Sequence, residues 1–498
     1  MPNDPARRPK LGAGAFVFAM VLALVTWRGV LQLSLSGWDT FPMIAAGRIE
    51  SWSGFVDSIA SELMAGRFPG GHYWRPLVHA TFGADHALWG LEPFGYHLTD
   101  LAIFVLTTTA IVWLARALVG EARARWAYLA GLVYALHPVH FEIVPLPPRR
   151  ADALALLFTL LALLAALRKL GGTSWLAALF AALALAAKET GALVVPLLFA
   201  CGCMQPRGVV RERVLSGVRA SWPALAVLGL YFAARARIVE GLGGGARASL
   251  EGAGGELSRV ATRYAELVLT PLPPAWVPEG LATLIIAGAL VVFLGAAAAR
   301  VGEPEGEAQT SPRAAVGLLA LWLVALLAVT GVAGIYRAWY ALPFVAPLAL
   351  LTAVAAASVR AQRGAGAIRV FGGLTILALL QGWMTSDATR WSELERTSDA
   401  ASRFLSHFDD VVQSLKPGSI AELSAYPAET ADTRHGRETA KTMLFREYSL
   451  QAYAELAHPT LEIRVAVKRS DEELRAGPNE VLVLLIPRSS ADDGVRGE

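Results

Sequence analysis

The chain has 498 residues, 55% of them hydrophobic and 17% charged, with a mean hydropathy of +0.46. A soluble domain carries about a quarter charged residues, so this composition excludes an ordinary soluble globular protein and points to the membrane. The formal net charge of +3 says little until it is divided between two membrane faces.

In chain order, apolar runs near the ~20 residues that cross a bilayer recur at 12–34, 97–119, 126–144, 151–168, 173–187, 190–204, 222–240, 281–299, 314–333, 339–359 and 368–386, about eleven in all. The first follows Arg7, Arg8 and Lys10, but it is too long for a signal-peptide core. "SLSGWDT" is also a poor cleavage site, so the run reads as a retained signal anchor. The two runs around Lys188 leave a broken helix or a re-entrant turn open. Cys201 and Cys203 lie too close together for an ordinary disulfide and read as small apolar residues, not a redox or metal pair.

With the N-terminus inside, most inner loops are basic ("GEARARW", "RKLGGT", "MQPRGVVRERVLSGVRA"), as the positive-inside rule requires. The outer segments are then loop 35–95, "HPVHFEIVPLPPRRAD", the "KET" turn, loop 241–279, "GIYRAW" and everything after about residue 387. This predicts a multi-pass protein of the cell inner or plasma membrane, N-terminus cytoplasmic and C-terminal part extracytoplasmic. Loop 35–95 is longer than a connector needs, and its aromatic content argues against disorder. Short helices lying in the interface are expected there, anchored by Trp52, Tyr73, Trp74 and Trp89.

After residue 387 the composition shifts. Phe404, Leu405, Phe408, Val411, Val412 and Leu415 form one face of an amphipathic helix ended by Pro417-Gly418. "SIAELSAY", "LEIRVAVK" and "EVLVLLIP" read as strands, with a second helix around 438–457. The expected architecture is an α-helical polytopic membrane domain over 1–387, followed by a small soluble α/β domain over 388–498. No internal repeat is visible.

Charge beside a membrane is costly and tends to be functional, which directs attention to Asp39, Asp57, Glu62, Arg75, Glu142, Arg149, Arg150, Asp152, Lys188, Glu189 and Arg337 on the outer face. His137 and His140 have a spacing that suits metal, but with Pro138 between them they read better as the polar end of a span. Glu142 emerges on the same side as Asp39. Either it is a solvated helix end, or the two carboxylates form an acid/base or substrate-orienting set. Arg149 and Arg150 precede a helix N-terminus, a natural cradle for phosphate. Asp152, in the first turn, reads as a cap, or else as the arginines' partner. Lys188 and Glu189 form either an internal ion pair or, through Lys188, another contact to the same anion. Arg337 stands at the outer mouth of a span, snorkelling or aimed at the common cavity.

"GWDTFPMI", "YWRPLVHATF", "PFGYHLTDLAIFVL", "ALHPVHFEIV…RRADALALLF", "AKETGALVVPLLF", "RYAELVLTPLPP" and "YRAWYALPFVAPLAL" occur in this order over about residues 12–392. Together they resemble the membrane portion of the glycosyltransferase-C superfamily. The likeness is strongest to protein O-mannosyltransferase-like enzymes that carry tetratricopeptide repeats, and to their bacterial relatives. The resemblance implies an inverting transferase with a polyprenyl-phosphate sugar donor, acting on the non-cytoplasmic face with Asp39 as catalytic base. It also implies that Glu142 is the acid of a His-Pro-x-His-x-Glu stretch. Arg150 and Asp152 would match an Arg-Ala-Asp, Lys188 and Glu189 a Lys-Glu, and Arg337 and Tyr340 an Arg-x-x-Tyr that contacts the donor phosphate. The chain departs from the family in two places: Trp38 replaces the second of two adjacent acids, and the repeat domain is missing. No cofactor is specified, a divalent metal is left open, and the acceptor (protein, glycan or lipid) is not implied. The rival expectations are a transporter or flippase of lipid-linked sugars, and a membrane anchor that presents the C-terminal module.

Overall fold

The computed structural model describes residues 12–67, 72–169, 172–204, 209–239, 260–264, 268, 311–333, 337–358, 365–415, 417, 420–423, 445, 447–467 and 482–485. Each predicted apolar run contains a helix except 281–299, which lies outside the described residues together with most of loop 241–279. The helices are α1 (Ala13–Thr26), α2 (Thr40–Gly47), α3 (Trp52–Ile59), α4 (Pro76–Trp89), α5 (Pro93–Val119), α6 (Ala127–Ala135), α7 (Arg150–Leu167), α8 (Trp175–Ala187), α9 (Val194–Cys203), α10 (Val210–Ile238), α11 (Pro312–Ala333), α12 (Leu342–Ser358), α13 (Ala365–Ser414) and α14 (Glu447–Ala457).

Among the described residues, five segments are long and apolar enough to cross a membrane: Pro93–Val119, Pro147–Leu167, Val210–Ile238, Arg313–Gly331 and Ala338–Ala357. The protein is therefore a mostly helical, multi-pass membrane protein. α5, α7 and α12 form its middle. Their apolar windows are 78%, 89% and 72% buried, against 39% and 33% for α10 and α11 at the periphery. Thr107, Thr108 and Thr109 inside α5 return their hydroxyls to carbonyls one turn back, so three buried polar groups are satisfied without leaving the helix. Cys201 is buried in the apolar core and both cysteines are free thiols.

Loop 35–95 holds α2, α3 and α4, the short helices expected of it. Trp52 is exposed, as an interfacial anchor should be. Trp74 is turned inward instead: its indole N–H donates to the Ile59 carbonyl at 2.8 Å, and its ring stacks on Tyr231 of α10. α2 and α4 touch backbone to backbone. A Cβ on Gly47 would meet the His79 carbonyl oxygen at 2.9 Å, and one on Gly83 would press into the Gly47 carbonyl oxygen and meet Ile49 Cδ1 at 2.8 Å. Two glycines thus set the depth at which α2 lies.

The last predicted span and the amphipathic helix after it form a single 50-residue helix, α13. Beyond it, β1 (Ile420–Leu423), β2 (Arg464–Val467) and β3 (Leu482–Leu485) form a parallel sheet in the order β2-β1-β3, Ile420 pairing with Arg464 on one side and with Leu482 on the other. The second predicted helix is found as α14, and residues 438–444 of that prediction lie outside the described residues. α14 does not stand apart. Phe41 of α2 packs on Tyr453 and Phe445, with ring centroids 4.8 and 5.8 Å away, and Phe408 of α13 closes the cluster against Tyr453.

Candidate active site

Gly37 has φ 104°, a left-handed value that needs glycine here, and it reverses the chain just before α2. Asp39 then takes the N-cap position of α2, but its side chain caps nothing. Its Oδ1 instead accepts a hydrogen bond from the Tyr448 hydroxyl of α14 at 2.9 Å, and the neighbouring Trp38 carbonyl accepts one from the Ser449 hydroxyl. Asp39 is a helix-end residue by backbone, and its carboxylate is engaged away from the helix.

Around it runs a chain of charges from distant segments. A 3-10 turn over Pro138–Glu142 brings Glu142 into the interior, 1% exposed, with Arg390 of α13 at 3.5 Å. A second turn, Pro147–Arg149, ends at the foot of α7 and lays the Arg149 guanidinium over the Trp339 ring, 3.0 Å from its centroid. Arg149 interacts electrostatically with Asp39, Glu142, Asp152 and Tyr340, which makes these groups one cluster. One turn into α7, Asp152 accepts a 2.5 Å bond from Lys188, whose ammonium lies 4.0 Å from the centroid of the Tyr340 ring. Next to Lys188, Glu189 bridges Arg75 at 3.0 Å and Arg235 of α10 at 3.2 Å. Burial works against the charge of Arg75, but Glu189 together with Tyr340 and Asp152 outweighs it and holds the guanidinium above its ordinary value. Arg337, exposed at the mouth, has its guanidinium 5.8 Å from the other partner of Arg149, the Trp339 ring.

Arg75, Arg149, Lys188, Arg235 and Arg390 thus pair or interact with the carboxylates Asp39, Glu142, Asp152 and Glu189, and Arg337 lies on the Trp339 ring beside Arg149. A desolvated cluster of guanidinium and ammonium groups held in place suits a phosphate.

Several sequence expectations are redistributed. Arg150 does not face this cluster. Its side chain is fully buried, bonded to Asp85 at 2.6 Å, to Asp100 at 2.8 Å and to the Tyr96 carbonyl at 3.2 Å, so its charge is consumed in tying α4, α5 and α7 together. Asp152 serves as the partner of Lys188 and makes no capping bond. His137 accepts from the Val139 N–H at Nδ1 and donates from Nε2 to the Val268 carbonyl, while His140 donates to the Tyr134 carbonyl. Both imidazoles are building material for the turn that carries Glu142. Arg235, Arg390, Asp85, Asp100 and Tyr448 were not singled out by the sequence. Asp100, an acid inside an apolar run, carried a usable signal. The others are defined only by partners far along the chain. No group of three His, Cys, Asp or Glu side chains suited to a metal ion comes together among the described residues.

No family model matches the chain. Part of it is similar to known proteins. It is 40% identical over 91 residues to protein O-mannosyl-transferase TMTC2 of Mus musculus, a stretch covering 18% of this chain and 11% of that protein. It is 32% identical over 139 residues to protein O-mannosyl-transferase Tmtc1 of Drosophila melanogaster, covering 27% and 16%. The resemblance is to O-mannosyl-transferases. The matches span less than a fifth of these relatives' length. A solved structure of ArnT from Cupriavidus metallidurans bound to undecaprenyl phosphate aligns with 91% of this chain and 90% of that one, at 13% identity and a TM-score of 0.44.

Proposed function

We propose that the chain is a membrane glycosyltransferase that moves a sugar from a polyprenyl-phosphate donor to a hydroxyl acceptor on the non-cytoplasmic face. The observation that carries this reading is the buried cluster in which Arg149 interacts with Asp39, whose carboxylate is turned away from its own helix and accepts from Tyr448. The local likeness to O-mannosyl-transferases supports it and makes mannose the first sugar to test.

In this mechanism Asp39 removes the proton of the acceptor hydroxyl as its oxygen attacks the anomeric carbon. The bond from that carbon to the phosphate oxygen breaks on the opposite side, and polyprenyl phosphate leaves with the electron pair. Arg149, Lys188 and Arg337 stabilise the charge that grows on the departing phosphate, and Tyr340 positions the Lys188 ammonium. Arg75, held by Glu189, supports the same wall, and Glu142 with Arg390 fixes the turn leading to Arg149.

The test incubates purified protein with radiolabelled polyprenyl-phosphate mannose, then with the corresponding glucose and galactose lipids, and measures released polyprenyl phosphate. Turnover that disappears in Asp39→Asn at unchanged melting temperature is the expected result. Full activity in Asp39→Asn would sink the assignment of the base. Transbilayer movement of intact labelled lipid without release would instead support a flippase.

A further inference from the structure

The C-terminal helix α14 lies against the residue just assigned as the base. Tyr448, in its first turn, donates to Asp39 Oδ1 at 2.9 Å, and Ser449 donates to the Trp38 carbonyl. The helix is fixed along its length. Tyr453 packs on Phe41 and donates to Asp409 of α13 at 2.7 Å, while Glu455 pairs with Arg67 of the first outer loop at 2.7 Å. Tyr448 is therefore held in a packed frame against a half-buried carboxylate.

From this geometry we infer that Tyr448 is a positioning residue for the reaction and that α14 belongs to the active site. The inference rests on the reading of Asp39 as base. A carboxylate with one oxygen engaged by a phenol has its rotation fixed, and with it the direction from which the acceptor hydroxyl must approach. The phenol also favours the ionised form and keeps the base deprotonated at lower pH. Tyr448 from α14 and Arg149 from the turn before α7 both push in this direction. The acceptor must then reach Asp39 beside α14, which makes this helix a wall of the acceptor path.

The experiment compares full-length wild type with Tyr448→Phe, which keeps the ring and removes the donor, using radiolabelled polyprenyl-phosphate mannose. The turnover rate of the variant is expected to fall about tenfold at acidic pH, with KM for the donor unchanged, and the acid limb of its profile to move up by about one unit. Tyr453→Phe loosens the same helix at Asp409 without touching Asp39 and should leave the acid limb in place. An unmoved limb in Tyr448→Phe, or the same shift in Tyr453→Phe, overturns the inference. Melting temperatures of Asp39→Ala, Tyr448→Phe and the double variant give a second readout without turnover. Coupling that is present at neutral pH and lost in acid supports the contact, and its absence at neutral pH overturns it. Loss of turnover in Asp39→Asn with an unchanged Tyr448→Phe profile rejects only the present inference. Full turnover in Asp39→Asn rejects the catalytic reading itself.

Discussion

Two adjacent arginines at the foot of α7 have different jobs, and substituting each separates them. Arg150 is wholly buried and holds Asp85 at 2.6 Å, Asp100 at 2.8 Å and the Tyr96 carbonyl at 3.2 Å. Arg150→Met keeps much of the volume but strands two buried carboxylates and a carbonyl. Removing one partner of a buried ion pair costs about 3–5 kcal/mol, and protonation of the stranded acids offsets part of that. Arg149→Met removes a guanidinium that lies over Trp339, a contact worth about 0.5–2 kcal/mol. Its charge, however, faces the proposed phosphate site, so loss of it should slow donor turnover by about 10²-fold. Thermal unfolding in detergent, paired with release of polyprenyl phosphate per folded molecule, reads both quantities. The expected pattern is an unstable Arg150 variant whose folded fraction still turns over, and a stable Arg149 variant that does not. The reverse pattern would refute the partition of roles.

Two further perturbations act on the frame around α2. His79 is buried on α4, where its ring accepts from the Met64 N–H at 3.3 Å and donates to the Ser58 carbonyl at 2.7 Å, and burial pushes its pKa below the ordinary 6.5. The unfolded chain binds the proton first, so the stability that His79 contributes is complete above about pH 6.5 and is lost as the pH falls below it. His79→Gln should flatten that part of the melting-temperature profile; an equal slope in both proteins would count against it. Gly83→Val drives side-chain atoms into the Gly47 carbonyl oxygen and Ile49, a clash worth about 1–3 kcal/mol, and it should lower turnover more than donor affinity by lifting α2 and with it Asp39.

Hydropathy exposed the helical frame because burial in lipid and burial in protein demand the same apolar runs, and α5, α7 and α12 follow them closely. The junction near residue 387 lies inside α13, where the composition changes but the helix continues. Charge on one face pointed to Asp39, Glu142, Arg149, Lys188 and Glu189, because polar atoms beside a membrane are rare enough to be informative. It could not separate Arg149 from Arg150, since the difference lies in Asp85 and Asp100 on other helices. Arg390 and Tyr448 were illegible for the same reason: each reaches its carboxylate across more than two hundred residues.

The arrangement of the pairs bears on what the cluster can do. A cation fully neutralised by two carboxylates, as Arg150 is, has little left to offer a ligand. Glu189 shows the opposite ratio, one carboxylate shared by Arg75 and Arg235. Arg149 lies over an aromatic face, which holds a cation in place while supplying less negative charge than a carboxylate would, and Lys188 combines such a face with the Asp152 carboxylate. The site therefore holds its cations in fixed positions, the condition in which a developing charge on a phosphate would be stabilised without reorganisation. Asp39 stands at the edge of this field, held by a neutral phenol. A fully matched cation there would weaken it as a base further than a neutral donor does, and the Tyr448 contact keeps the carboxylate ionised while fixing its orientation.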